Sequence, residues 1–434
     1  MLKISVLGCG YLGLTHAVCM ASLGHEVVAL DIKQEVIDQL KTGKITFFEP
    51  GLQELLDANS SRIEFTSDVS RVRGARVHFL GVGTPRSLQG KAADLSYVRN
   101  SVLSLIDHLG FSGETEIIVG KSTVPPGTAG ELRAMLEGVS GVDLVWNPEF
   151  LQEGNAVNDT LRPDRIVYGT HNGEANWATE LLDECYQDIL DTGTPRFITD
   201  FATSELIKLA ANSFLATKIS FANAYAQLCD TVGADILTLV KAIGVDERIG
   251  EKFLGAGIGF GGGCLPKDLA AVQAIYADKG LEVPGALFTA VEAINQDAHH
   301  YVSSLAVSKL ENSGGKKVAI AGAAFKANSD DIRESPGLRI AKHLLEQGFD
   351  VVVTDPAALG SARKALPTAT FVHDIRQAVQ DADLLLVVTE WQEYKNLDPA
   401  DLAPKKKIVI DARNCLDVNT WKNHGWDYTG VGHR

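Results

Sequence analysis

The stretch ISVLGCGYLGLTHAVCMASLGHEVVALD, residues 4–31, predicts the fold of the first part of the chain. It opens with an apolar run and a glycine pattern. The glycines follow the spacing GxGxxG, and a helix-like segment then leads to a second apolar run that ends at Asp31. This order of strand, glycines, helix, strand and acid is typical of a dinucleotide-binding unit. The first glycine makes the turn, the second admits a pyrophosphate, and the third lets the helix pack on the strand.

The acid at the end of the second apolar run predicts which dinucleotide is bound. Asp31 lies 18 residues after Gly13, where a carboxylate can bind both hydroxyls of a ribose. Its negative charge would repel a 2′-phosphate, and Lys33 weakens this repulsion only slightly. We therefore predict NAD as the cofactor, held by the first loop and its acid: Gly8, Gly10, Tyr11, Leu12, Gly13, Asp31 and Lys33.

Further apolar runs predict more strands that alternate with helices along the chain. Runs at 77–80, 117–119 and 142–146 end in glycine, proline or polar residues, as expected of parallel strands that alternate with helices. Thr84 and Thr123 lie in two of these loops, where they either reach a ligand or cap the next helix. A second α/β unit without GxGxxG is predicted from four later runs, at 317–320, 350–353, 384–388 and 408–410.

Residues 201–232 contain neither glycine nor proline and predict one helix, roughly 45–50 Å long at its rise per residue. The fold class is therefore α/β: two Rossmann-like doubly wound parallel-sheet domains joined by a long central helix. A helix of this length also offers a surface for self-association. Lys208 and Asn212 share one face of it, either in solvent or facing a pocket where they stabilise negative charge on oxygen.

A single thiol follows four glycines in GFGGGCLPKD, residues 259–268. We expect the missing side chains to let a bulky ligand approach the backbone beside Cys264. Lys267 would stabilise the thiolate, and Asp268 would lie near the same helix face. The alternative is a buried structural cysteine beside a flexible turn.

Two acids follow the strand at 142–146. Glu149 and Glu153 are four residues apart, on a predicted loop and first helical turn. Acids at such a position either favour a helix N-terminus or supply a carboxylate for proton transfer to water. The sequence leaves both readings open.

Composition excludes several classes of protein. A chain of 434 residues is long enough for two or three domains, and its net charge of −15 disfavours binding to nucleic acid or an anionic membrane. The six cysteines lack zinc-site spacing and suit a reducing compartment. With no apolar run long enough for a membrane span, we predict a cytoplasmic protein with neither metal nor membrane partner.

Several motifs, in this order and over nearly the whole chain, resemble the UDP-glucose/GDP-mannose family of nucleotide-sugar 6-dehydrogenases. They are GxGxxG at 8–13, EPG at 49–51, KSTVP at 121–125, NPEFL at 147–151, KLAAN at 208–212, the cysteine loop and RES at 333–335. The resemblance implies a four-electron oxidation of a C6 alcohol to a carboxylate with two NAD, UDP-glucose as the substrate, and a homodimer or larger homo-oligomer. It also implies three domains: residues 1–199 for NAD, 200–312 with the long helix and cysteine loop, and 313–434 for the nucleotide sugar.

The resemblance also implies residue roles. Cys264 would form a thiohemiacetal and then a thioester, Lys208 and Asn212 would hold the oxyanion, and Asp268 with Thr123 would assist proton transfer through water. Glu149 or Glu153 would serve thioester hydrolysis. Further cofactor contacts would come from Thr84, Pro85, Thr123, Glu153 and Lys267. Substrate contacts would come from Glu149, Phe150, Leu151, Lys208, Asn212, Arg248, Phe253, Gly261, Phe325, Lys326 and Arg413, with Arg248 reaching into a neighbouring subunit's site.

Three other functions remain open from the sequence. GDP-mannose could replace UDP-glucose, since the cysteine loops of the two groups are similar. A two-electron β-hydroxyacid dehydrogenase shares the Lys-xxx-Asn helix but needs no cysteine loop. A non-catalytic NAD sensor would not need Lys208, Asn212, Cys264 and Asp268 together. Val36 stands where the family often has a basic residue, and Gly263 replaces a frequent serine.

Overall fold

The computed structural model describes residues 1–85 and 93–433. It divides into two compact units, Met1–Ala211 and Asn212–Arg434. Each unit contains a sheet in which the first strand lies between the second and the fourth, as in Rossmann-like folds. The predicted fold class is therefore confirmed, whereas the three predicted domain ranges stay a prediction.

The first unit contains an eight-stranded sheet with the order β3-β2-β1-β4-β5-β6-β7-β8. Its strands are β1 (Lys3–Leu7), β2 (Glu26–Leu30), β3 (Ile63–Thr66), β4 (Val77–Leu80), β5 (Glu116–Gly120), β6 (Val142–Trp146), β7 (Ile166–Thr170) and β8 (Arg196–Asp200). Neighbouring strands are parallel except β6 and β7, which pair antiparallel. The strands β3, β7 and β8 were not predicted from the sequence.

Both faces of this sheet are buried, which explains its apolar strands. Val6 and Phe79 belong to one hydrophobic cluster, and their neighbours Leu7 and Leu80 belong to another on the opposite face. The helices of the unit are α1 (Tyr11–Ser22), α2 (Gln34–Lys41), α3 (Leu52–Asn59), α4 (Ser96–Ile106), α5 (Thr128–Ala134), α6 (Ala156–Leu161), α7 (Trp177–Cys185) and α8 (Gln187–Leu190). Short 3-10 turns lie at Ser60–Arg62 and Val69–Val72.

The predicted long helix is α9 (Phe201–Val232), with 32 residues. Its length is about 48 Å at 1.5 Å per residue. Its bounds agree with those expected from the absence of glycine and proline. Within residues 1–85 and 93–433, none of the helices is long and apolar enough to cross a membrane.

The second unit begins with helices and ends with a six-stranded parallel sheet of order β11-β10-β9-β12-β13-β14. Its helices are α10 (Ile236–Gly244), α11 (Leu265–Asp278), α12 (Glu282–Ser313), α13 (Pro336–Glu346), α14 (Leu359–Ala365), α15 (Ile375–Val379), α16 (Gln392–Lys395) and α17 (Val418–Asn423), with a 3-10 turn at Pro399–Asp401. Its strands are β9 (Lys317–Ala321), β10 (Asp350–Thr354), β11 (Thr370–Phe371), β12 (Leu384–Val387), β13 (Ile408–Asp411) and β14 (Asp427–Gly430).

The helical segment after the cysteine loop consists of two helices, α11 and α12, separated by residues 279–281. Gly280 has a φ of +66° and so takes the left-handed conformation that commonly ends a helix. The strands β11 and β14 were also missed.

Candidate active site

The first glycine loop connects β1 to α1. Gly8 has a φ of +94°, and a Cβ on Gly13 would lie 1.8 Å from the carbonyl oxygen of Gly8. These two glycines are therefore required by the turn and by the close contact of helix and strand. A Cβ on Gly10 would meet no described atom within 4 Å. The backbone at the start of α1 is open there, as a pyrophosphate site needs.

Asp31 follows β2 and orders the same loop. Its Oδ2 accepts a hydrogen bond from the Cys9 amide at 2.8 Å, and its Oδ1 accepts one from the Lys33 amide at 2.9 Å. Each carboxylate oxygen has two lone pairs, so this arrangement leaves capacity for ribose hydroxyls. The acid and the open helix N-terminus together fit NAD.

The two predicted threonine loops contact each other. The Thr84 hydroxyl donates to the carbonyl oxygen of Thr123 at 2.8 Å. This contact is possible because β4 and β5 are parallel neighbours, so their carboxyl ends lie together. The carbonyl of Pro85 accepts a hydrogen bond from the amide of Asp94. Thr84 and Thr123 therefore lie at the sheet edge where a dinucleotide is expected.

The loop between β6 and α6 brings three predicted site residues together. Glu149 Oε1 lies 3.0 Å from Lys208 Nζ, and Glu149 Oε2 accepts from the Leu151 amide at 2.5 Å. The Phe150 ring centroid lies 5.7 Å from the same ammonium. Lys208 is buried on α9. A buried cation held against a carboxylate is a group able to stabilise negative charge on a bound oxygen.

Glu149 lies on a loop, as predicted, but Glu153 does not lie in a helical turn, contrary to the prediction. The connection stays irregular until α6 begins at Ala156, after Gly154 with a φ of +80°. The Phe150 ring also contacts Arg165, whose guanidinium carbon lies 3.8 Å from the ring centroid. Two cations therefore lie near this ring and favour its position next to Glu149.

The thiol of Cys264 lies at the start of α11 in the second unit. Cys264 is the N-cap residue, its side chain is exposed, and its carbonyl accepts the amide of Asp268 at 2.9 Å. The free N–H groups and the dipole of a helix N-terminus favour a negative charge, here a thiolate. The alternative of a buried structural cysteine is therefore wrong.

The Asp268 carboxylate is buried beneath the same helical turn. Its Oδ2 accepts from the Asn212 amide nitrogen at 2.6 Å, and its Oδ1 lies 2.8 Å from Lys267 Nζ. This hydrogen bond fixes the orientation of the Asn212 side-chain amide, including its carbonyl oxygen. Lys267 pairs with Asp268, so part of its charge is neutralised by this carboxylate.

The space left by the glycines before Cys264 is filled by the protein itself. A Cβ on Gly261 would lie 2.2 Å from the carbonyl oxygen of Glu334, and one on Gly262 would lie 2.7 Å from the Phe325 ring. A Cβ on Gly263 would lie 2.3 Å from the guanidinium carbon of Arg333. These glycines therefore admit neighbouring protein segments, and the approach of a ligand to the backbone beside Cys264 stays a prediction.

The remaining predicted substrate residues are distributed over the second unit. The Arg413 guanidinium donates to the carbonyls of Val388, Gly259 and Phe325, and so fastens the cysteine loop to the sheet. Lys326 Nζ lies 5.8 Å from the Phe325 ring centroid. Phe253 has a φ of +64°, a strained conformation for an aromatic residue. Arg248 is exposed and pairs with Asp246.

The acid of the second sheet does not repeat the role predicted for Asp31. Asp355 follows β10, but its carboxylate accepts the amides of Ala323, Ala324, Ala357 and Ala358 and the Trp391 indole N–H. These five donors occupy both oxygens. In the part of the chain that the structure describes, no group of three or more His, Cys, Asp or Glu is arranged to hold a metal.

Comparison with known proteins decides the family. The UDP-glucose/GDP-mannose dehydrogenase profile matches in three parts: its NAD binding domain at residues 2–190, its central domain at residues 202–297 and its UDP binding domain at residues 319–418. The UDP-glucose 6-dehydrogenase of Rhizobium meliloti (strain 1021) is 38% identical over 441 residues, covering 99% of each chain. The chain belongs to the UDP-glucose/GDP-mannose dehydrogenase family.

Solved structures agree with this membership. A UDP-glucose dehydrogenase from the hyperthermophilic archaeon Pyrobaculum islandicum is 36% identical, with a TM-score of 0.89 over 100% of this chain and 98% of the other. A GDP-mannose dehydrogenase from Pseudomonas aeruginosa is 26% identical, with a TM-score of 0.53 over 99% of each chain. As a family member, the chain is an NAD-dependent nucleotide-sugar 6-dehydrogenase. The predicted family, enzyme class and cofactor are confirmed.

A buried cluster in the first unit of this dehydrogenase, formed by Lys121, Asn147 and Tyr186, was not predicted from the sequence. Lys121 Nζ lies 3.0 Å from Asn147 Oδ1 and 3.3 Å from the Tyr186 hydroxyl. Burial lowers the pKa of Lys121 to about 8. Because Lys121 and Asn147 follow the neighbouring strands β5 and β6, their contact joins the Thr123 loop to the Glu149 loop. The sequence signal for this contact was a polar residue directly after each of these two strands.

Glu205 was also missed, on the same helix as Lys208. Its carboxylate accepts the amides of Gly127 and Ala129 at 2.7 and 2.6 Å, and so ties the end of the Thr123 loop to α9. Burial raises the pKa of Glu205 to about 7. The sequence of α9 gave no signal for this contact, which joins residues more than 70 positions apart.

Proposed function

We propose that this dehydrogenase oxidises the C6 alcohol of UDP-glucose to the carboxylate of UDP-glucuronate through a covalent intermediate on Cys264. The observation that carries the proposal is the exposed thiol at the N-terminus of α11, one helical turn from the buried carboxylate of Asp268. A two-electron dehydrogenase needs no nucleophile at this point. A thiol can hold the aldehyde until its oxidation is complete.

The reaction balances as two oxidations and one hydrolysis. In the first oxidation, C6 would lose a hydride to NAD+ and its hydroxyl would lose a proton, which gives the aldehyde. Cys264 Sγ would then add to the aldehyde carbon while the aldehyde oxygen takes a proton, which gives a thiohemiacetal. In the second oxidation, C6 would lose its hydride to a second NAD+ and the hydroxyl would lose its proton, which leaves a thioester. Water would then add to the thioester carbon and the C–S bond would break, which gives the carboxylate, the free thiolate and two protons.

Lys208 and Asn212 are suited to the oxygen of C6. Lys208 provides a buried ammonium, while Asn212 provides an amide whose orientation is held by Asp268. Both donors favour an oxyanion over a neutral hydroxyl, so their effect is largest where negative charge develops. Asp268 and Thr123 would pass the released proton to water, and Glu149 or Glu153 would assist the water that attacks the thioester.

UDP-glucose is favoured over GDP-mannose by two findings. The Rhizobium meliloti relative, 38% identical over 99% of each chain, is named UDP-glucose 6-dehydrogenase. The UDP-glucose dehydrogenase structure has the higher TM-score, 0.89 against 0.53 for the GDP-mannose dehydrogenase. We propose Phe325, Lys326 and Arg413 as substrate contacts in this unit, together with Phe253, Gly261 and Arg248. A reducing compartment such as the cytoplasm would keep the exposed thiol reduced.

The test is the amount of NADH formed per molecule of UDP-glucose consumed, with GDP-mannose as the parallel substrate. We expect two NADH per UDP-glucose and a carboxylate product. One NADH per sugar would contradict the covalent mechanism. Turnover of GDP-mannose alone would contradict the substrate, and no NADH from either sugar would contradict both.

We further infer that the chain self-associates through α9. An exposed apolar stripe consists of Phe214, Phe221, Tyr225, Leu228 and Val232. Their spacings of seven, four, three and four residues keep them on one helix face. Such a stripe can pack against its own copy in a two-fold dimer. Sedimentation should give at least twice the monomer mass of 46.6 kDa, and a monomer at micromolar concentration would contradict this inference.

A further inference from the structure

Glu49 is a buried carboxylate in the first unit with three donors around it. Only 3% of the residue is exposed. Its Oε1 accepts the amide of Ala156 at 2.7 Å, and its Oε2 accepts the amide of Gly154 at 2.7 Å. The hydroxyl of Tyr11 also donates to Oε2. Hydrogen bonds to an ionised acceptor are stronger than neutral ones, so this carboxylate holds its three partners firmly.

The three donors belong to two segments that serve different parts of the proposed reaction. Tyr11 is the first residue of α1 and directly follows Gly10, where the backbone is open for the pyrophosphate. Gly154 directly follows Glu153, and Ala156 is the first residue of α6. The amide of Gly154 also lies 3.1 Å from the Tyr11 hydroxyl. One carboxylate thus connects the cofactor loop to the loop that contains both candidate acids.

The direction of the Tyr11 hydrogen bond is well defined. Burial, with the hydrogen bond to Glu49, raises the pKa of Tyr11 well above its usual value. The phenol therefore keeps its proton and remains the donor. Its ring also contacts Phe47, with ring centroids 4.8 Å apart. A movement of the glycine loop would be transmitted through this side chain to Glu49 and then to the start of α6.

We propose that Glu49 is a positioning residue that couples the cofactor loop to the acids of the β6–α6 connection, and thereby supports thioester hydrolysis. This inference rests on the proposed function. The cofactor site must be emptied and refilled while the covalent intermediate persists, since the reaction uses two NAD+. A fixed link between the glycine loop and the acid loop keeps Glu149 and Glu153 in place after that exchange.

The first test compares Glu49→Gln with the matched variant Glu54→Gln, whose side chain is exposed on α3. A glutamine has only one acceptor oxygen, so it cannot accept both backbone amides. We expect Glu49→Gln to lower kcat about tenfold, as the loss of a charged hydrogen bond predicts. The KM for UDP-glucose should stay within about twofold, because substrate binding is not altered. Covalent acyl-enzyme should accumulate after acid quench, seen as added mass on the intact chain.

Glu54→Gln should show neither change. An unchanged kcat in Glu49→Gln would overturn the proposal, and so would a lower kcat without accumulated acyl-enzyme. If Glu49→Gln fails to fold, Tyr11→Phe provides the same test, because it keeps both backbone contacts of Glu49 and removes only the hydroxyl. That variant should also accumulate acyl-enzyme, and its failure to do so would overturn the coupling.

A second measurement separates this proposal from the proposed reaction. Hydrogen exchange of the peptide containing Gly154 and Ala156 should slow when NAD+ binds to the wild-type chain. In Tyr11→Phe, bound NAD+ should no longer slow it. This result needs no substrate, so it stands even if UDP-glucose is not oxidised. Equal slowing in the wild-type and variant chains would show that the two loops are not coupled through Glu49.

Discussion

Replacing Cys264 with alanine is expected to lower the formation of UDP-glucuronate by at least about 1,000-fold, the scale typical for loss of a covalent nucleophile. Affinity for NAD should change by no more than about twofold, because Cys264 is not among the residues predicted to bind NAD, which include the loop at 8–13 and Asp31. The measurements are NADH release, product chromatography and NAD titration.

The control for this variant is Cys415→Ala, which removes a half-buried thiol that has no role in the proposed chemistry. It should keep wild-type turnover within about twofold, as expected for a substitution away from the reacting atoms. Two NADH per sugar at an undiminished rate in Cys264→Ala would disprove the thioester. Release of free aldehyde after one NADH would instead support capture by the thiol as the step that was lost.

Replacing Lys208 with methionine is expected to reduce kcat by roughly 100- to 1,000-fold, the range seen when one oxyanion donor is removed. Methionine fills a similar volume, so packing on α9 should be retained. The physical reason is the loss of a buried ammonium that lies 3.0 Å from Glu149. The first hydride transfer, measured in a single turnover, is the step that should slow.

Part of this loss could come from Glu149, which would be left without its cation. The double variant Lys208→Met, Glu149→Gln removes both charges and separates the two effects. Lys241→Met, at an exposed position on α10, is the matched control and should retain wild-type kcat. A single-turnover rate within about threefold of wild type in Lys208→Met would contradict its assignment to the C6 oxygen.

Much of the fold could be predicted from local sequence. The GxGxxG loop, the apolar strands and the uninterrupted helix at 201–232 each depend on residues close in the chain, and the structure contains them all. The strands β3 and β8 were missed because they are only partly buried and lack a strong apolar pattern.

The sequence by itself determined the chemistry that is available: a dinucleotide loop with its acid, one thiol at a helix start, and a lysine and an asparagine one turn apart on α9. Which of these side chains contact one another depends on the tertiary structure. Asn212 contacts Asp268 across 56 residues, and Glu49 contacts Ala156 across 107. Turns and helices are set by interactions between near neighbours, whereas such contacts depend on how the sheets and helices pack.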